Sequence, residues 1–131
     1  PGLRNIYDFV LTLPGFSGGG VGTADPKPPE ITTAALTKTS AAAVEAMNMF
    51  VSIYGSEAGN LALKTLATAG VWLGGGIAPK ILPFLKSQAF LDAFRGKSVA
   101  KTQAVLARIP LHVITFELNG LYGAANYARS L

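Results

Sequence analysis

The chain is predicted to be an α/β protein built on an open parallel sheet, and three observations carry that expectation. Gly70 to Leu73 is a short, wholly apolar run, as expected of a strand covered on both faces by helices. Leu111 to Phe116 reads as a second strand, and well over a dozen residues with helix signals separate the two. A link of that length makes the strands parallel, with a right-handed crossover.

The elements follow in order. Gly2 to Leu11 places Leu3, Ile6, Tyr7 and Val10 at helical spacing, giving one buried face. From Pro14 to Glu30 glycine, proline and small polar residues take over, and a loop insertion is expected at about 13–30. Gly18-Gly19-Gly20-Val21-Gly22 is not read as a phosphate loop. The Asp25-Pro26-Lys27-Pro28-Pro29 that follows is expected not to open a helix that would present backbone amides, so a flexible surface insertion is expected.

Thr32 or Thr33 can cap a short helix through Lys38, and Ser40 can start a long one running to about Ala69. Along it Ala43, Met47, Phe50, Tyr54, Ala58 and Leu61 form an apolar stripe expected to be core. Gly55, Ala58, Gly59 and Ala62 are small enough to admit a close helix crossing. Beyond the first strand, Ile81 to Lys86 is a short helix, Ser87 can cap one through Phe94, and Ser98 can cap another that turns Val99, Thr102, Val105 and Leu106 inward. Pro110 ends that segment, and an amphipathic helix from about Asn119 to Arg129 follows the second strand.

Composition narrows the function classes. The chain has 131 residues, half of them hydrophobic, which suits one domain with a core. Eleven Lys and Arg against seven Asp and Glu give a net charge of +4, scattered rather than gathered, so nucleic acid is not the expected partner. With no cysteine and only His112, thiolate and histidine metal clusters are excluded. The apolar stretch from Leu66 to Leu85 is broken by glycines, prolines and Lys80, so no membrane segment is expected. The opening proline and lack of a leader suggest a piece of a longer, cytoplasmic polypeptide.

The candidate site is Val71-Trp72-Leu73-Gly74-Gly75-Gly76-Ile77-Ala78-Pro79-Lys80, where a strand stops in three glycines and the chain turns towards a helix. Without β-carbons the backbone can fold tightly and lie against a ligand. A bare turn is the other reading, because the lysine and hydroxyl of a phosphate-cradling loop are missing. In an open sheet, ligands lie beyond the carboxyl ends of the strands, which makes this loop and the one after Phe116 the places to look. Asn60 can brace the turn through its amide or stand as an exposed side chain. Glu117 and Asn119 follow the second strand, but they read more simply as a first-turn acid and the cap of the last helix. No residue is assigned a catalytic role, and His112 is read as structural.

The helix Gly59-Asn60-Leu61-Ala62-Leu63, the turn Gly75-Gly76-Ile77-Ala78-Pro79-Lys80 and the opening Pro1-Gly2-Leu3-Arg4-Asn5 together resemble the C-terminal part of bacterial-type glucokinases. The resemblance covers most of the chain. It implies that residues 1–131 are the C-terminal segment of the nucleotide-side domain of a ribonuclease-H-like sugar kinase, with the remaining strands upstream. It implies ATP and Mg2+ as cofactors, with glucose bound by the upstream part. It places adenosine against Gly75, Gly76 and Ile77, with Lys80, Gly2 and Asn5 as weaker nucleotide contacts and Gly74 and Asn60 supporting the turn. The family's base aspartate and phosphate loops lie outside this sequence. A second copy of the chain is a possible partner. The alternatives are a non-catalytic regulator on the same fold or a helical interaction fragment.

Overall fold

In the computed structural model, which describes residues 2–116 and 118–130, seven helices and two strands follow in the order α1 (Gly2–Thr12), α2 (Pro28–Leu36), α3 (Ala41–Thr65), β1 (Val71–Leu73), α4 (Leu82–Leu85), α5 (Gln88–Arg95), α6 (Ala100–Leu106), β2 (Leu111–Val113) and α7 (Asn119–Ala128). β1 and β2 pair in parallel, Val71 beside Leu111, Trp72 beside His112 and Leu73 beside Val113. The Ile114 amide prolongs the ladder by donating to the Leu73 carbonyl at 2.9 Å. β2 thus stops at Val113 rather than Phe116.

α3 is the strut on which α1, α2 and α5 pack. Its start is fixed by Ser40, whose buried hydroxyl accepts from the Ala43 amide at 3.1 Å and donates to the Gly19 carbonyl at 2.6 Å. Its end comes at Thr65 rather than Ala69, because Leu66 turns left-handed at φ 47°. The buried side is made of Ala42, Ala43, Ala46, Met47, Val51, Gly55, Ala58, Gly59 and Ala62. Leu61 is more than half exposed, and Phe50 and Tyr54 are half-buried rather than core. The buried face is therefore lined mainly by small residues, and the larger ones stand at its margins.

The close crossing is borne out. A β-carbon on Gly55 would stand 2.6 Å from the Phe90 carbonyl, and one on Gly59 would collide with the Phe94 carbonyl. At the same place Lys97 donates to the Ser56 carbonyl at 2.9 Å, tying the end of α5 to α3. Ser87 caps α5 by accepting from the Phe90 amide. Core side chains include Tyr7, Ile31, Met47, Phe90, Phe94 and Leu106.

Several expectations are corrected. The proline-rich run does open a helix: α2 starts at Pro28, since a first-turn proline gives up an amide that has no partner there anyway. The Lys27 amide donates to Glu30 Oε2 at 2.6 Å, and Thr32 and Thr33 bond back to the Pro28 and Pro29 carbonyls instead of capping. The insertion therefore ends at Lys27. It is also tethered rather than loose. The Val21 amide donates to the Tyr7 hydroxyl at 2.9 Å, and Arg4 bridges Asp8 and Asp25 while donating to the Pro26 carbonyl. The hydrogen bond from Arg4 holds the Asp25 carboxyl below its ordinary pKa, with Lys27 adding to the effect.

α6 is preceded by Val99 rather than capped by Ser98, and of its residues only Leu106 is buried. Only one sheet face is covered: Leu73 is buried and Val71, Leu111 and Val113 pack against the core, whereas the face that carries Trp72 and His112 is not. Trp72 is 63% exposed and lies stacked on His112 with ring centroids 4.1 Å apart. α7 forms where a helix is expected but buries none of its residues.

Candidate functional site

β1 ends in a backbone that only glycine takes easily. Gly75 sits at φ +97°, a left-handed conformation that strains any side chain. Gly74 is glycine for a different reason: a β-carbon there would lie 3.3 Å from Ile114 Cδ1 and 3.6 Å from Asn119 Nδ2. Those contacts bring the loop after β2 against the glycine turn, so the two expected loops do meet at one sheet edge. Asn119 is the first residue of α7 rather than its cap, which is why its amide is placed near Gly74.

Gly76 differs from both. Its φ is not left-handed, and a β-carbon on it would meet no atom within 4 Å. Neither backbone strain nor packing within the described residues requires glycine at this position. What Gly76 does border is a crevice of about 250 Å3 lined by Phe50, Tyr54, Gly74, Gly75, Gly76 and Ile77. One wall is aromatic, the floor is bare backbone, and Ile77, 59% exposed, supplies an apolar rim. No charged side chain lines it. Burial raises the Tyr54 phenol above its ordinary pKa, so the ring stays neutral there.

Phe50 and Tyr54 are the residues sequence reasoning assigned to the core and the structure gives to the crevice. A chain-length signal points to them. An extended chain spans about 3.3 Å per residue, whereas a helix rises about 1.5 Å. The few residues from Thr65 to Gly74 can therefore carry the turn back along α3 as far as Tyr54 and Phe50.

The other predicted residues stand apart. Asn60 is exposed and its amide donates to Glu57 Oε1 at 3.2 Å, one turn back on α3; this i, i+3 pairing occupies it on the helix surface rather than at the turn. Lys80 follows the crevice and is exposed. Gly2 and Asn5 lie exposed on α1, which packs on α3 and α2, and neither lines the crevice. Glu117 lies outside the described residues. Among the described residues no three acidic or histidine side chains gather as a metal site, and no helix is long and apolar enough to cross a membrane. His112 is occupied by its stack on Trp72, in keeping with a structural role.

A glycine turn after a parallel strand, opening onto an apolar crevice beside a long helix, lies at the carboxyl edge of the sheet, the edge at which open α/β sheets hold their ligands. Comparison with known proteins makes this particular. The family model described as Glucokinase matches residues 1–131. Among curated relatives, the glucokinase of Chelativorans sp. (strain BNC1) is 46% identical over 98% of this chain and 36% of its own length. The glucokinases of Mesorhizobium japonicum and of Nostoc sp. (strain PCC 7120) are 43% and 41% identical over 98% and 96% of the chain, again 36% of their own lengths. The chain belongs to the glucokinase family. It spans little more than a third of the length of these relatives.

Proposed function

We propose that the chain is the C-terminal, nucleotide-side part of an ATP-dependent glucokinase that converts glucose to glucose 6-phosphate, and that its own contribution is the adenosine pocket. The observation that carries this is Gly76: a glycine without a conformational or packing reason, on the floor of a crevice that a side chain would narrow. Family membership supplies the reaction.

The division of labour follows from the residue types. Phosphoryl transfer needs a carboxylate to take the sugar hydroxyl proton, a metal bridging the phosphates and donors along them. The crevice offers none of these. Among the described residues no three acidic side chains gather as a ligand set, and we assign Mg2+ and the sugar to the remainder of the polypeptide. The proposed fold of the whole is the two-domain, ribonuclease-H-like sugar-kinase fold. Gly75, Gly76 and Ile77 bind the nucleoside there, with Gly74 supporting the turn and Lys80, Gly2 and Asn5 as outlying contacts.

The test is titration of ADP into the full-length protein, wild type and Gly76→Val. The larger side chain is expected to weaken ADP binding at least tenfold while the melting temperature holds, since a β-carbon at this position meets no atom within 4 Å. Equal affinities would remove adenosine from this turn.

A further inference from the structure

We propose that Phe50 and Tyr54 form the wall on which the nucleotide's base stacks, so that α3 sets base recognition. This inference rests on the adenosine reading of the turn and adds to it two residues one helical turn apart. Their rings lie 6.1 Å apart at 54°, and both line the crevice together with Gly74, Gly75 and Gly76. Tyr54 is held from behind by a second aromatic contact, edge-on to the fully buried Phe90 at 6.1 Å and 69°. A ring fixed between a neighbour on its own helix and an anchor on α5 is set before any ligand arrives, which spares the cost of ordering it on binding.

Size and chemistry select the occupant. Pockets for drug-sized ligands run from about 300 to 1,000 Å3. At about 250 Å3 this crevice suits a planar ring system rather than a whole nucleoside triphosphate. Its lining is apolar side chains and backbone with no charge, which fits the base and not the phosphates. A crevice lined by two aromatic rings and by glycine backbone offers a heteroaromatic plane both a π-face and peptide to lie against. Stacking of this kind tolerates any base, and truncating one aromatic partner typically costs on the order of ten- to a hundredfold in affinity.

The experiment compares ADP with ribose 5-diphosphate, which keeps the sugar and phosphates and lacks the base, on the full-length protein. Phe50→Ala and Tyr54→Ala are each expected to weaken ADP on the order of tenfold and to leave ribose 5-diphosphate unchanged, closing the gap between the two. Tyr54→Phe, which keeps the ring, should retain wild-type ADP affinity. In steady state the alanine variants should raise KM for ATP with kcat and KM for glucose held. If Gly76→Val weakens ADP but the aromatic variants leave the ADP to ribose 5-diphosphate ratio intact, the stacking wall is overturned and the adenosine turn stands. If neither class of variant changes ADP binding, both fall. Equal loss of both ligands in the alanine variants would make the two rings packing residues only, and would overturn the proposal as well.

Discussion

A single missing methyl group decides how close α5 comes to α3. At Gly59 a β-carbon would collide with the Phe94 carbonyl, and backbone on a packed helix cannot swing aside as a flexible side chain can. Gly59→Ala must therefore push the helices apart, parting Lys97 from the Ser56 carbonyl beside it. Overpacking of this kind costs about 1–3 kcal/mol, against which the better helix propensity of alanine returns only about 1 kcal/mol. The expected outcome is a net loss, read as a lower denaturant midpoint. The same substitution at Gly76, where a β-carbon meets nothing, should be close to neutral for stability. A Gly59→Ala variant as stable as wild type would mean that the crossing is looser than the distances say. Thus residues of one type, in one chain, serve a crossing at Gly59, a left-handed turn at Gly75 and an open floor at Gly76, and only their surroundings distinguish them.

Helix starts show the same dependence on context. Ser40 and Ser87 both cap helices, yet Ser40 also donates to the Gly19 carbonyl and is buried, so it joins α3 to the loop that wraps α1. Losing a cap costs about 1 kcal/mol, and losing the hydrogen bond to the half-buried Gly19 carbonyl adds about 0.5–1.5 kcal/mol. Ser40→Ala is expected to lower stability by clearly more than Ser87→Ala in parallel urea titrations; equal losses would show that the bond to Gly19 contributes nothing. Both serines were legible as caps in the sequence, as were the parallel strands and the glycine-lined crossing, because each rests on local chemistry. The helix at Pro28 was not, since proline marks a loop and a first helical turn equally well. Phe50 and Tyr54 pack against the core as the stripe predicts but also line the crevice, which an i, i+4 aromatic pair does not reveal until β1 returns alongside α3. Of the two readings open for Asn60 the exposed one holds, because the glycine turn is near it in sequence while Glu57 lies one turn back on the same helix.

At the scale of the whole molecule, the sheet covered on one face only is what most departs from a self-sufficient domain. Two parallel strands of three residues each are marginal without further strands or a covering layer. Around them Trp72, Phe116, Leu118, Leu121, Tyr122 and Tyr127 are all more than half exposed, and α7 buries nothing. Scattered exposed apolar residues are ordinary; a cluster on one sheet face and its adjoining helix is a surface that another layer normally covers. The sequence points to missing strands, since two cannot make an open parallel sheet, but not to which face is bare, because an apolar strand reads the same whether its cover comes from near or far along the chain. The 131-residue chain prepared by itself is accordingly expected to bind anilinonaphthalene sulfonate under native conditions, whereas the full-length protein should bind little. Trp72 is the only tryptophan, so the emission of the isolated chain reports this face directly and should be that of a water-exposed indole. Trp72→Thr should reduce dye uptake by the isolated chain while keeping its melting temperature, since the indole is mostly exposed, stacks on His112 and is not among the core residues. An isolated chain that takes up no dye and melts at the temperature of the full-length protein would show instead that the core around α3 suffices, and that the bare face of the sheet costs the fold nothing.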